Sequence, residues 1–219
     1  MFRFSVVALS TTAAIALAVP AAAEIELSFY TGIQDAPHSR VKGDDGDEDF
    51  NFLVDWEGKS GAMPPYYGFR ATWWQSANLG YGLEFNHAKV YASDDDREEH
   101  GFSDLELTDG LNLFTANVFY RWPGQWASGR LTPYVGGGVG FAMPHVDVER
   151  GQSDTFEYQV TGPAAIVVAG ASWAFNETWA VFGEYKGSWS SHDIELDNGG
   201  QLETDIITNA FNIGVSYSF

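Results

Sequence analysis

From Asn209 to Phe219 the chain alternates without a break. Phe211, Ile213, Val215, Tyr217 and Phe219 take one face, and Ala210, Asn212, Gly214, Ser216 and Ser218 take the other. A period of two is that of a β-strand. Its chemistry is inverted relative to a water-soluble sheet, because the large apolar face has no second layer of comparable side chains to meet and the opposite face is small and polar. Lipid outside and a narrow wet lumen inside satisfy both faces. The same period divides the chain into eight segments, at about 24–34, 66–76, 81–92, 111–122, 131–143, 162–175, 179–190 and 206–219. In the first, Ile25, Leu27 and Phe29 face outward and Glu26, Ser28 and Tyr30 inward. In the second, Tyr67, Phe69, Ala71 and Trp73 oppose Arg70 and Thr72.

Eight such segments predict an all-β, eight-stranded antiparallel transmembrane up-and-down barrel. The connections set its orientation. Those after the first, third, fifth and seventh segments are long and face outside, whereas those at 77–80, 123–130 and 176–178 are short and face the periplasm. Ahead of the first segment, Arg3, an apolar run from Val6 to Val19 and the small residues Ala21, Ala22 and Ala23 read as a cleavable signal peptide over 1–23. The domain layout expected is therefore a signal peptide at 1–23 and an outer-membrane β-barrel at 24–219, with Phe219 resembling the C-terminal signal read by the barrel assembly machinery. Location in the bacterial outer membrane and a monomeric state follow from that reading.

The 219 residues carry 30 Asp and Glu against 11 Lys and Arg, a formal charge of −19, which excludes nucleic-acid binding by phosphate neutralisation. Twenty-five of the acids fall in the four long connections, so the acidity belongs to the outer rim. There it provides solubility and mutual repulsion, or holds divalent cations against lipid phosphates. The absence of Cys removes disulfides, thiolate nucleophiles and Cys-ligated metals. Gly136, Gly137, Gly138 and Gly140 lack the Lys-Ser/Thr pair and following helix of a nucleotide loop, and are expected to be strand glycines that allow curvature or close packing. No flavin or nicotinamide fingerprint is present.

Glu26, Arg70, Glu84, Arg121, Glu184 and Lys186 all fall at inward positions, where three acids and three bases can pair and fill the lumen. The five histidines, His38, His87, His100, His145 and His192, all fall at the outer end. Imidazoles near carboxylates are how a chain without Cys binds a transition metal, and any such site here must assemble across strands. His38, His87 and His192 are the candidate metal ligands, with Glu84 and Glu184 below them in the wall or lumen. Lys186 is assigned as a charge partner. His87 shares the outward face with Phe85, so it reaches inward only through a bulge or at the lip.

Five stretches resemble the bacterial lipid A oxidase family. They are Ser28-Phe-Tyr-Thr-Gly-Ile-Gln-Asp-Ala-Pro-His-Ser39 with Val41 and Gly43, then Pro65-Tyr-Tyr-Gly-Phe-Arg-Ala-Thr-Trp-Trp74, Gly82-Leu-Glu-Phe-Asn-His-Ala-Lys-Val-Tyr91, Thr108-Asp-Gly-Leu-Asn-Leu113 and Glu184-Tyr-Lys186. The resemblance implies oxygen-dependent oxidation of the proximal glucosamine of lipid A, in its anomeric hydroxyl form, to 2-aminogluconate, with hydrogen peroxide as the other product and a divalent metal as a requirement. His38, His87, Glu84, Glu184 and His192 are then the catalytic candidates and lipid A, within lipopolysaccharide, the partner. Two other readings stay open. One is a noncatalytic surface or adhesion barrel. The other is a lipid A esterase or acyltransferase built on Ser39 beside His38, or on Ser190 and Ser191 beside His192.

Overall fold

The computed structural model describes residues 24–219, except for the side chains of Thr108 and Asp109. The expected signal peptide at 1–23 lies outside the described residues. Thirteen strands and one short helix follow in order: β1 Glu24–Asp35, β2 Ser39–Asp44, β3 Asp49–Val54, β4 Trp56–Glu57, β5 Tyr67–Trp74, β6 Leu79–Ala92, α1 Asp94–His100, β7 Phe102–Arg121, β8 Leu131–Ala142, β9 His145–Arg150, β10 Ser153–Tyr158, β11 Gly162–Ala174, β12 Trp179–Glu195 and β13 Gln201–Ser218. Eight of them pair antiparallel in a closed ring, β1–β5–β6–β7–β8–β11–β12–β13, which β13 completes by pairing with β1. The eight segments expected from period two are these eight strands.

Closure follows from the alternation. Outward side chains such as Leu27, Leu83, Phe211 and Ile213 remain 46–70% exposed, while Ser28, Tyr30, Arg70, Glu84, Asn212 and Ser216 are buried inside. The β8 glycines lie in mid-strand as expected. A Cβ on Gly138 would lie 1.8 Å from the Asn117 side-chain oxygen, so a larger residue would displace the inward residues of β7.

The four outer connections differ from the loops expected. They hold β2, β3, β4, α1, the first third of β7, β9, β10 and the outer ends of β12 and β13. Together these form a cap whose core buries Val41, Phe50, Phe52, Leu105, Val148, Ile194 and Leu202 and runs on into the ring interior at Tyr30 and Ala210. In β13 the inside–outside parity is kept but the chemistry reverses. Leu202 and Ile206 are buried while Gln201, Glu203 and Asp205 face solvent, whereas from Ala210 onward the large apolar residues are the exposed ones. A search for apolar-out strands therefore stops at Ile206, although the strand begins at Gln201.

All four connections meet at one clasp. The Asp45 carboxylate, after β2, accepts from the amides of Asp47 (3.1 Å) and Glu48 (2.8 Å) and from Arg150 at the end of β9. Arg150 also lies over Phe50 and Phe102 and donates to the carbonyl of His100, the last residue of α1. Asn198, between β12 and β13, donates to the Asp45 carbonyl. α1 itself starts at Ser93, whose hydroxyl accepts from the Asp96 amide, and stops at Gly101 in the left-handed region, φ 74°.

Candidate functional site

Inside the ring four of the six predicted charges, Arg70, Glu84, Glu184 and Lys186, form one network with four further residues, while Arg121 and Glu26 lie nearer the other end. Arg70 on β5 donates through Nε to Glu84 (2.8 Å) and through both terminal nitrogens to Glu184 (2.9 and 3.0 Å). Lys186 donates to Glu84 and to the Tyr30 hydroxyl, which donates to Glu84 (2.6 Å). Asn117 donates to Glu84 (3.0 Å), and Tyr134 (2.7 Å) and Asn212 (3.1 Å) donate to Glu184. The side chains of Glu84, Glu184, Arg70 and Lys186 are at most 5% exposed. Nearer the periplasmic end Arg121 pairs with Glu24 (2.7 Å) and stacks on Trp74. Every carboxylate oxygen of Glu84 and Glu184 is engaged, which is what lets two acids and two bases stay charged in a narrow lumen. They are buried and committed to one another, so these two glutamates are not presented at the outer rim.

The stretches at 28–39, 65–74, 82–91 and 108–113 fall on β1, β5, β6 and β7, which are consecutive neighbours in the ring. Their outward residues stand in register rows. One row is Phe29, Phe69, Phe85, Phe114 and Phe141, each opposite the next across five strands. The next row toward the outer end is Thr31, Tyr67, His87 and Asn112. The His87 ring stacks on Tyr67 at 4.9 Å, and its Nδ1 lies 3.0 Å from the Asn112 amide oxygen. Beyond this row the register breaks: Ala88 faces Leu111 and Val90 faces Leu107, so β7 carries two extra residues. Gly110 occupies that bulge at φ +120°, where a Cβ would lie 2.5 Å from His87 Nδ1. Only glycine lets the bulge close over the imidazole. Two positions further along β6, Lys89 is buried and donates to the carbonyls of Ala62 and Pro64 at 3.1 and 3.0 Å, pinning the segment that leads into β5.

The other histidines lie apart. His38 is exposed in the turn between β1 and β2. His100 stacks on Phe52 at 3.8 Å, and His145 packs edge-on against Phe156 and Tyr158. His192 points into the cap, its Nδ1 2.7 Å from the Thr161 hydroxyl and its Nε2 2.8 Å from the Ser190 hydroxyl. Burial pushes this imidazole down to about 3, so it is neutral at physiological pH. His87 on the outer face and His192 on the inner face are separated by the wall. Among the described residues no three His, Asp or Glu side chains gather as metal ligands, so the described donors do not make the expected His38–His87–His192 centre. The Ser190–His192 pair has the spacing of a nucleophile and base, but Ser190 is wholly buried and a threonine stands where a triad has its carboxylate.

Tyr67, Asn112 and Lys89 at the lip, and Tyr134, Asn117 and Asn212 in the lumen, are the participants that the sequence reading did not single out. Counting outward from the short turn between β5 and β6 pairs 67 with 87, which is the signal that could have found Tyr67.

The chain matches the outer membrane protein beta-barrel domain over residues 9–219 and belongs to that family. It is therefore a protein of the bacterial outer membrane. Neisserial surface protein A shares its fold with a TM-score of 0.52 at 13% identity, over 89% of this chain and 97% of that one. Outer membrane protein AlkL, determined by solid-state NMR in lipid bilayers, gives a TM-score of 0.52 at 15% identity, over 96% and 97%. No curated protein matches the chain in sequence.

Proposed function

We propose that this barrel is a lipid A oxidase, acting on the proximal glucosamine in the outer leaflet. Two electrons and two protons leave the anomeric C–H and hydroxyl and reduce oxygen to hydrogen peroxide, and water opens the resulting lactone to 2-aminogluconate. The observation that carries this reading is the convergence of the four longest family-like stretches on one wall, β1–β5–β6–β7. There the polar row Thr31–Tyr67–His87–Asn112 follows directly on the phenylalanine row. In an outer-membrane barrel, that is where lipid-facing surface gives way to headgroup chemistry. Tyr67 and His87 are the groups assigned to the sugar; His87 is only 4% exposed beneath the Gly110 bulge, so it meets the sugar when that bulge opens, whereas His38 is exposed at the same end of β1. Glu84, Glu184 and Lys186 are assigned to the lumen network and His192 to the cap. The divalent metal has no ligand set among the described residues, and no step is routed through it.

Purified protein given oxygen and lipid A with a free anomeric hydroxyl should form hydrogen peroxide and oxidised lipid in equal amounts. Peroxide without a change in the lipid, or neither product, contradicts the proposal. The mature chain is proposed to start near Glu24 and to insert as a monomer through the assembly machinery. Phe219 is 64% exposed and faces outward, so Phe219→Asp should lower the folded protein in the membrane far more than Ser218→Asp. Equal membrane levels would remove that role.

A further inference from the structure

The membrane-facing wall below His87 is not even. One row toward the periplasm from the phenylalanines stand Leu27, Ala71, Leu83, Ala116 and Val139, and the next row is Ile25, Trp73, Tyr81, Val118 and Gly137. Ala71 thus has Phe69 and Trp73 beside it along β5 and Leu27 and Leu83 across from it. A methyl group set among side chains of that size leaves a depression, and two such depressions meet at Ala71 and Leu83. The upper one is bounded by Leu27, Phe69, Phe85 and Phe114, and so ends one register step from Tyr67 and His87.

We propose that this groove seats an acyl chain of lipid A, so that the wall which carries Tyr67 and His87 also positions the lipid. The occupant follows from the medium and from the mouth. The groove opens on the lipid-facing surface of an outer-membrane barrel, where hydrocarbon is what can fill it. Its outer end runs into polar side chains that suit the sugar of an outer-leaflet lipid. Filling the dip with a chain buries apolar surface on both partners at closely packed contacts, which a flat wall of equal-sized residues cannot offer. The inference rests on the lipid A reading for the identity of the headgroup, but binding and oxidation are measured separately.

The test uses the full mature protein in detergent micelles, mixed with purified lipid A and examined by native mass spectrometry. Heat-shifted gel mobility reports that each variant is folded. The wild type should retain one lipid A, and Ala71→Phe, which fills the groove, should lower retention about tenfold. Ala116→Phe gives the same test should Ala71→Phe fail to fold. Val167→Phe, on the outward face of β11 on the far side of the ring, should retain lipid as the wild type does. Lipid held by the wild type and lost from Ala71→Phe supports the groove even if no oxidised lipid forms, an outcome that would instead dismiss the oxidase reading. Equal retention by the wild type and both alanine variants overturns the groove. So does equal, groove-dependent retention of a phospholipid in place of lipid A.

Discussion

The ring and the cap are built from the same strands and solve opposite problems. In the ring the outward residues of β13 are Phe211, Ile213, Val215 and Tyr217, and the inward ones include Asn212 and Ser216. In the cap the outward residues are Gln201, Glu203 and Asp205 and the inward ones Leu202 and Ile206. Parity runs through unbroken, and only the solvent on each side changes. The ring's interior is therefore held by ion pairs and hydrogen bonds centred on Glu84 and Glu184, and the cap's interior by apolar packing tied off at Asp45 and Arg150. Substitutions should accordingly act on one half and spare the other.

The largest effect is expected in the ring. Arg70→Met leaves Glu84 and Glu184 without their shared guanidinium, and unpairing a buried ion network of this kind costs about 3–5 kcal/mol. Urea unfolding in micelles should show a large fall in the midpoint. A midpoint like that of the wild type would mean that the network contributes little to the ring.

Next is the cap core. Leu202 is 1% exposed, and Leu202→Ala should cost about 3 kcal/mol. The loss should appear as protease cutting within the cap while the heat-shifted band of the folded ring persists. Loss of both together would show that ring and cap unfold as one unit.

A smaller effect is expected from acid. The amide of Glu48 holds the Asp45 carboxyl below its usual range; partial burial opposes this, and the Asp47 amide and the Arg150 guanidinium add to it. A carboxylate whose pKa is lower folded than unfolded stabilises fully above the unfolded value of about 3.9 and loses that contribution as pH falls through the folded one. The cap should therefore become more open to an acid protease as pH drops from about 5 toward 3. Asp45→Asn should flatten that dependence, and an unchanged pH profile in this variant would place the acid sensitivity elsewhere.

The difference between the halves also decides what could be read from the chain. All eight ring strands were legible because large residues alternate with small polar ones in segments long enough to cross a membrane. The cap strands were hidden by the same criterion: 201–205 and 191–195 alternate just as strictly, but with acids outward. Asp45, Arg150 and Asn198 are far apart in sequence and meet only once all four connections are folded. The lumen charges were legible from parity alone. Among the histidines, parity correctly kept His87 on the outward face with Phe85. The expectation that it joins His38 and His192 did not survive, because the bulge at Gly110 closes around the imidazole on the outside and does not turn it inward.

The claim that the chemistry belongs to the outward lip of β1–β5–β6–β7 is tested most directly by mass spectrometry of lipid A from cells whose lipid A has a free anomeric hydroxyl and which produce the wild type, His87→Gln or His192→Gln, each at equal levels of folded barrel. Oxidised lipid A, one oxygen heavier, should appear with the wild type and with His192→Gln and be lost with His87→Gln. Oxidised lipid persisting with His87→Gln, or absent with the wild type, would contradict it.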